Sequence, residues 1–134
     1  MRIVAIDHGS GRAGLAICDP SETVVRPLGV AEPPDPSEVA RLVRANDAEL
    51  VIVGLPVSLD GTEGAQAATA REFGDRLRKV LNIPVETHDE RLTTRLAERS
   101  RREGAAAHPD ALAAAHLLES YLASRARPGG PPGG

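Results

Sequence analysis

Arg2-Ile3-Val4-Ala5-Ile6-Asp7-His8-Gly9 is the stretch that decides the fold. An apolar run of this length, closed by an acid and a glycine turn, reads as a buried strand that delivers Asp7 to its C-terminal end. Two further strands follow at residues 14–18 (Gly-Leu-Ala-Ile-Cys) and 23–30, separated by the turn formers Asp19-Pro20-Ser21. Connections this short make the three an antiparallel meander. Pro27 lacks a ladder donor, so the third strand is expected at an edge or interrupted there.

Beyond residue 30 the apolar period changes. Asp35 is placed to cap a helix whose first position is Pro36, with Glu38 in its first turn and Val39, Leu42 and Val43 on one face. This predicts a helix over 36–45. Leu50-Val51-Ile52-Val53-Gly54 reads as a fourth strand, 64–80 as a helix carrying Phe73, Leu77 and Val80, and 83–88 as a weaker fifth strand. Two last helices, over 93–103 and 109–124, are divided by Gly104 and Pro109. The order βββαβαβαα implies an α/β fold with a mixed five-stranded sheet, three strands antiparallel and two parallel, flanked by helices. That is the RNase H-like arrangement. One domain is expected over residues 1–125, with residues 126–134, rich in Pro and Gly, as a disordered tail.

The chain has 134 residues, enough to bury a core without disulfides or a structural metal. Its aromatics are Phe73 and Tyr121, so the core is built from Val, Leu, Ile and Ala. The single cysteine, Cys18, excludes an internal disulfide and is expected to be a buried strand residue. No Cys/His spacing suits zinc. No apolar run approaches a membrane span and no leader is visible, so the expected compartment is the cytoplasm. The net charge of −3 gives no global footprint for nucleic acid, which leaves only local contacts. Fifteen of the sixteen basic residues are arginine, a bias that fits phosphate forks but fits a GC-rich genome better.

Three acids could carry chemistry. Asp7 ends the first strand before Gly9, Gly11 and Gly14, where a carboxylate could hold a hard cation or satisfy turn amides. Asp89 and Glu90 end the fifth strand, and because strand side chains alternate, one of the two should be structural. Asp110 lies in the first turn of the last helix, where the helix dipole favours an acid in any case. Each has a structural explanation alone. Together, carboxylates that converge without cations would repel one another, so a cluster of three makes sense chiefly as a metal or acid–base site.

The residues Asp7-His8-Gly9 with Arg12-Ala13-Gly14, the run from Gly54-Leu55-Pro56 to Asp60-Gly61-Thr62-Glu63-Gly64, then Asp89-Glu90-Arg91-Leu92-Thr93-Thr94, and Asp110-Ala111 with Tyr121-Leu122 resemble the YqgF/RuvX family. Its members are described as Holliday-junction-resolvase-like proteins and as pre-16S rRNA nucleases. The resemblance covers Met1 to about Ala123, with the motifs in order. It implies a metal-dependent nuclease in which Asp7, Glu90 and Asp110 are both catalytic and metal-binding, with Asp89 as the alternative to Glu90. It also implies two Mg²⁺ or Mn²⁺ ions as cofactors, phosphodiester hydrolysis, and structured RNA (pre-rRNA) or branched DNA as partner. Gly9, Arg12, Arg91 and Arg95 are the expected substrate contacts. A homodimer is compatible with the sequence, which sets no oligomeric state.

The chain departs from the family pattern at Ser58, where Asn is usual, and at residues 104–109, which are short and uncharged where a Lys/Arg-rich loop is usual. Arg91, Arg95, Arg99 and Arg102 recur at helical spacing and could track phosphates or form a solvated face. His8 and His88 flank the acids and could relay protons, whereas His116 reads as a packing residue. With two aromatics, both in helical core patterns, base stacking is not expected to drive recognition. Two other readings stay open: a nucleic-acid-binding module that kept the fold without catalysis, and a fragment of an actin-like ATPase or sugar kinase. Length counts against the second.

Overall fold

Side chains along a strand alternate between faces, and the first strand obeys this with every apolar residue buried. Val4 and Ile6 join one core cluster, Ile3 and Ala5 another. The computed structural model describes residues 1–9, 11–56, 60–90 and 108–126. Within them lie β1 (Ile3–His8), β2 (Ala13–Cys18), β3 (Val25–Ala31), α1 (Pro36–Ala45), β4 (Leu50–Leu55), α2 (Ala65–Val80), β5 (Val85–Asp89) and α3 (Pro109–Ala126). The sheet order is β3-β2-β1-β4-β5. β1 pairs antiparallel with β2 and β2 with β3, while β1·β4 and β4·β5 are parallel.

Three layers result. On one face Val39 and Val43 of α1 and Ala70, Phe73 and Leu77 of α2 pack on Val4, Ile6, Val51 and Val53. On the other, Leu117 and Leu118 of α3 pack on Ile3, Ala5 and Ile52, and Ala114 and Ala115 pack on Ala16. The alanines of α3 leave no side chain to hold the helix off, so its backbone comes close to the sheet. Continuing the alternation, Asp7 points to the α3 face and His8 to the α2 face.

The differences from the sequence reading have local causes. The third strand begins at Val25 rather than residue 23, because the amides of Thr23 and Val24 donate to the Asp19 carboxylate (2.7 and 2.9 Å) instead of to a ladder. A bond from the Ser21 hydroxyl, with those from the two amides, holds the Asp19 carboxyl down at about 2. The fifth strand begins at Val85 and not residue 83: the carbonyl of Pro84 accepts from Val51 (3.0 Å), but proline has no donor to extend the pairing. Pro27 sits on an edge strand beside a register shift at Leu15/Ala16, as expected of it. Asp35 occupies the N-cap position of α1 without a side-chain capping bond. It serves through its backbone carbonyl, which accepts from Val39 (3.0 Å). Cys18 is buried, as expected. The helix expected over 93–103 lies outside the described residues, as do residues 127–134 of the expected tail; Ala126, the first residue of that tail, instead closes α3.

Candidate active site

Asp7 stands between two glycines. On one side its ladder partner is Gly14 of β2. On the other, Val53 of β4 pairs with Ile6, so the next residue, Gly54, is level with Asp7. A side chain on either glycine would collide with what now fills the space beside it. A Cβ on Gly54 would lie 2.5 Å from Glu90 Oε1 and 2.9 Å from Leu117 Cδ2, and one on Gly14 would lie 1.9 Å from the Asp110 carbonyl oxygen. Each gap beside Asp7 is thus filled by one of the other two acids, Glu90 through its side chain and Asp110 through its backbone.

Glu90 follows the last residue of β5, in a turn that frees it from strand alternation. Its carboxyl crosses the empty place at Gly54 and hydrogen-bonds to Asp7. Burial, then this bond, then the charges of Asp7 and Asp89 push Glu90 up to about 8, which favours its protonated form. Gly54 therefore explains why β4 ends without an acid: the neighbouring strand supplies one across it.

Asp110 occupies the first turn of α3, and its amide donates to the ring Nδ1 of His108 (3.1 Å), which acts as the cap of that helix. Sequence reasoning had not singled out His108. Asp110 forms an ion pair with Arg12 through Oδ2, and Arg12 also faces Glu32 at 3.9 Å. Oδ2 is buried and receives no directed hydrogen bond. Asp7 and Glu90 are together, then, whereas Asp110 is drawn toward Arg12. Among the described residues no three His, Cys, Asp or Glu side chains form a metal-ligating group.

A cavity of about 340 Å³ opens over Asp7 and Glu90, with His8, Gly9, Gln66 and Thr69 in its walls. Gln66 and Thr69 come from the first turns of α2 and were not legible as site residues, because nothing in the sequence says which helix end overhangs the strand ends. Gly9 closes a tight hairpin, its amide donating to the Arg12 carbonyl (2.9 Å), and Gly11 takes a positive φ of 85°. His8 rests on Phe73 with ring centroids 4.6 Å apart; burial lowers its pKa against the opposing pull of Asp7. His88 bonds the Ser120 hydroxyl (3.1 Å), which ties β5 to α3 and gives this residue a structural role. His116 is buried, as its packing role requires. Arg91, Arg95, Arg99 and Arg102 lie outside the described residues.

The chain is similar to known proteins in sequence and in fold. A family model described as "RuvX: Holliday junction resolvase" matches residues 1–124. A protein of Anaeromyxobacter sp. (strain Fw109-5) named "Putative pre-16S rRNA nuclease" is 38% identical over 135 residues, covering 93% of this chain and 98% of its own. One of the same name from Chloroflexus aggregans is 38% identical, covering 94% and 96%. Among solved structures, Thermus thermophilus RuvC in complex with a Holliday junction substrate superimposes with a TM-score of 0.66 at 16% identity, over 93% of this chain and 95% of that one. The fowlpox virus Holliday junction resolvase gives 0.54 at 14% identity, over 93% and 99%. These two show the shared RNase H-like fold. With the family model spanning nearly the whole described fold and full-length relatives well above 30% identity, the chain belongs to the RuvX family.

Proposed function

We propose that the protein is a metal-dependent nuclease that hydrolyses phosphodiester bonds, with maturation of the 5′ end of pre-16S rRNA as its role. The observation that carries this is the pair of glycines beside Asp7, each making room for another acid. A fold has no stability reason to press the Glu90 carboxyl against Asp7 and to seat the turn that carries Asp110 beside the same strand end, since repulsion between close carboxylates costs free energy. The relatives named for pre-16S rRNA nuclease activity support the substrate.

The donors fit a hard divalent cation. All are carboxylate oxygens, and a cation can take the place of the proton on Glu90 beside Asp7. Asp7, Glu90 and Asp110 would hold Mg²⁺ or Mn²⁺, with Asp89 the alternative to Glu90. Bound as a pair, such ions make water nucleophilic near neutral pH and offset charge on the departing 3′ oxygen. Glu90 gives up its proton as the site fills. Arg12 balances Asp110 until a substrate phosphate competes for its guanidinium. Gly9 leaves the hairpin open for the backbone of the substrate to approach, and Arg91 and Arg95 are assigned to phosphates farther along the strand.

The test is cleavage of a labelled RNA carrying a 16S 5′ leader, beside a four-way DNA junction, in Mg²⁺ and in Mn²⁺. Cleavage of the RNA that falls at least about a hundredfold in Asp7→Asn supports the proposal, since even partners outside the ligand shell cost 10–100-fold. Preferential cutting of the junction would make this a DNA resolvase, the activity named by the family description. Binding of RNA without cleavage in either metal would leave a non-catalytic binding module.

A further inference from the structure

A second hollow adjoins the cavity at the acids. It holds about 140 Å³ and is walled by His8, Pro34, Pro36, Phe73 and the Glu72–Arg76 ion pair. His8 and Thr69 belong to both spaces. Strand alternation is the reason: Asp7 and His8 are successive on β1, so one faces the carboxylates and the other faces α2. A polymer crossing the end of β1 meets the acids and, one residue away, this hollow.

Its lining suits a flat heterocycle. Two proline rings and the imidazole of His8, itself backed by Phe73, offer apolar faces. Edge partners are present in the Thr69 hydroxyl oxygen, whose own proton goes to the Ala65 carbonyl, in the His8 ring and in the Glu72 carboxylate. The lining suits a phosphate less well, because beside Arg76, the one guanidinium in it among the described residues, stands the Glu72 carboxylate at 2.7 Å, whose charge opposes an anion. We propose that this hollow is a nucleobase subsite, which takes one unpaired base of the strand being cut, next to the scissile phosphate. The inference rests on the nuclease reading above and narrows it: the nucleotide beside the cut must be single-stranded or extruded from its duplex. Stacking then contributes to recognition after all, through a histidine on a strand rather than an exposed aromatic.

Phe73 is the only phenylalanine of the chain, so 4-fluorophenylalanine places a single ¹⁹F probe in the wall of the hollow. The full-length Asp7→Asn protein in Mg²⁺ is titrated with a single-stranded RNA ten-mer, the same RNA as a duplex, and an abasic strand of equal length, with binding followed by anisotropy. The single strand should shift the fluorine resonance and bind about fivefold or more tightly than the abasic strand, the low end of a base-stacking contribution. His8→Ala should abolish the shift and reduce that ratio to within about twofold. Glu72→Trp, at an exposed position away from the acids, should do the same by filling the mouth of the hollow. Binding of the single strand with the resonance unmoved, or an equal shift from the abasic strand, overturns the subsite alone. Failure of all three nucleic acids to bind overturns the nuclease reading and the subsite with it.

Discussion

Glu90 is the residue whose surroundings contradict its ordinary chemistry most, with a carboxyl pushed up to about 8 by burial and by Asp7. Because the folded pKa exceeds the unfolded value of 4.5, the metal-free protein gains from the proton on Glu90 fully below about pH 4.5. It loses that gain as pH rises toward 8. Discounted for the partial exposure of the group, the loss amounts to about 1–2 kcal/mol. Thermal melts in chelator should therefore show the wild type losing more stability between pH 5 and 8 than Glu90→Gln does. Parallel slopes for the two would mean that Glu90 is not the titrating group. At this scale the sequence was half legible. Asp7 could be picked out as an acid ending an apolar strand. Glu90 could not be separated from Asp89, because strand alternation says which face a residue takes only while the strand lasts, and β5 ends at Asp89.

At the scale of elements, the glycines of β2 and β4 decide how closely α3 and the turn after β5 can approach. The atoms that a new Cβ would meet differ in kind, and so do the expected consequences. At Gly14 they are backbone atoms of Asp110 and Ala111, which cannot move without displacing the helix. Gly14→Ala should lower stability by about 1–3 kcal/mol, the usual cost of overpacking, along with activity. At Gly54 they are the ends of the Glu90 and Leu117 side chains, so Gly54→Ala should cost activity far more than stability. Gly29 has nothing within 4 Å, and Gly29→Ala should leave cleavage unaffected. Melting curves and cleavage rates of the three variants check this ranking; a Gly54→Ala protein with wild-type cleavage would detach Glu90 from the reaction. The elements themselves were readable because their apolar periods are strong, as in α1, which runs over 36–45 as expected. Their ends were not, where Pro84 or the Asp19 carboxylate removes a donor or captures the amides that a ladder would use.

For the whole molecule, the proposal links metal to folding. Cations that bind the assembled acids and not the unfolded chain should raise the melting temperature in step with their concentration. At a hundred times the dissociation constant this is about 2.7 kcal/mol. The rise should appear with Mn²⁺ above pH 7 and vanish in Asp7→Asn; an equal rise in that variant would place the ions elsewhere. Sheet topology was legible from the order of the elements alone, since short turns force antiparallel neighbours and helical crossovers allow parallel ones. The closeness of α3 to β2 was not, because it depends on Gly14, Ala114 and Ala115 being small together while far apart in the chain. Gly54 carries this furthest. A carboxylate that reaches its place from the adjoining strand is specified by an empty volume, not by a position in the chain. The same chemistry could thus be transplanted by moving the acid: Gly54→Asp combined with Glu90→Gly would keep a carboxylate beside Asp7 while exchanging its strand of origin. Homologues related by such an exchange would share a working centre that no residue-by-residue alignment would match.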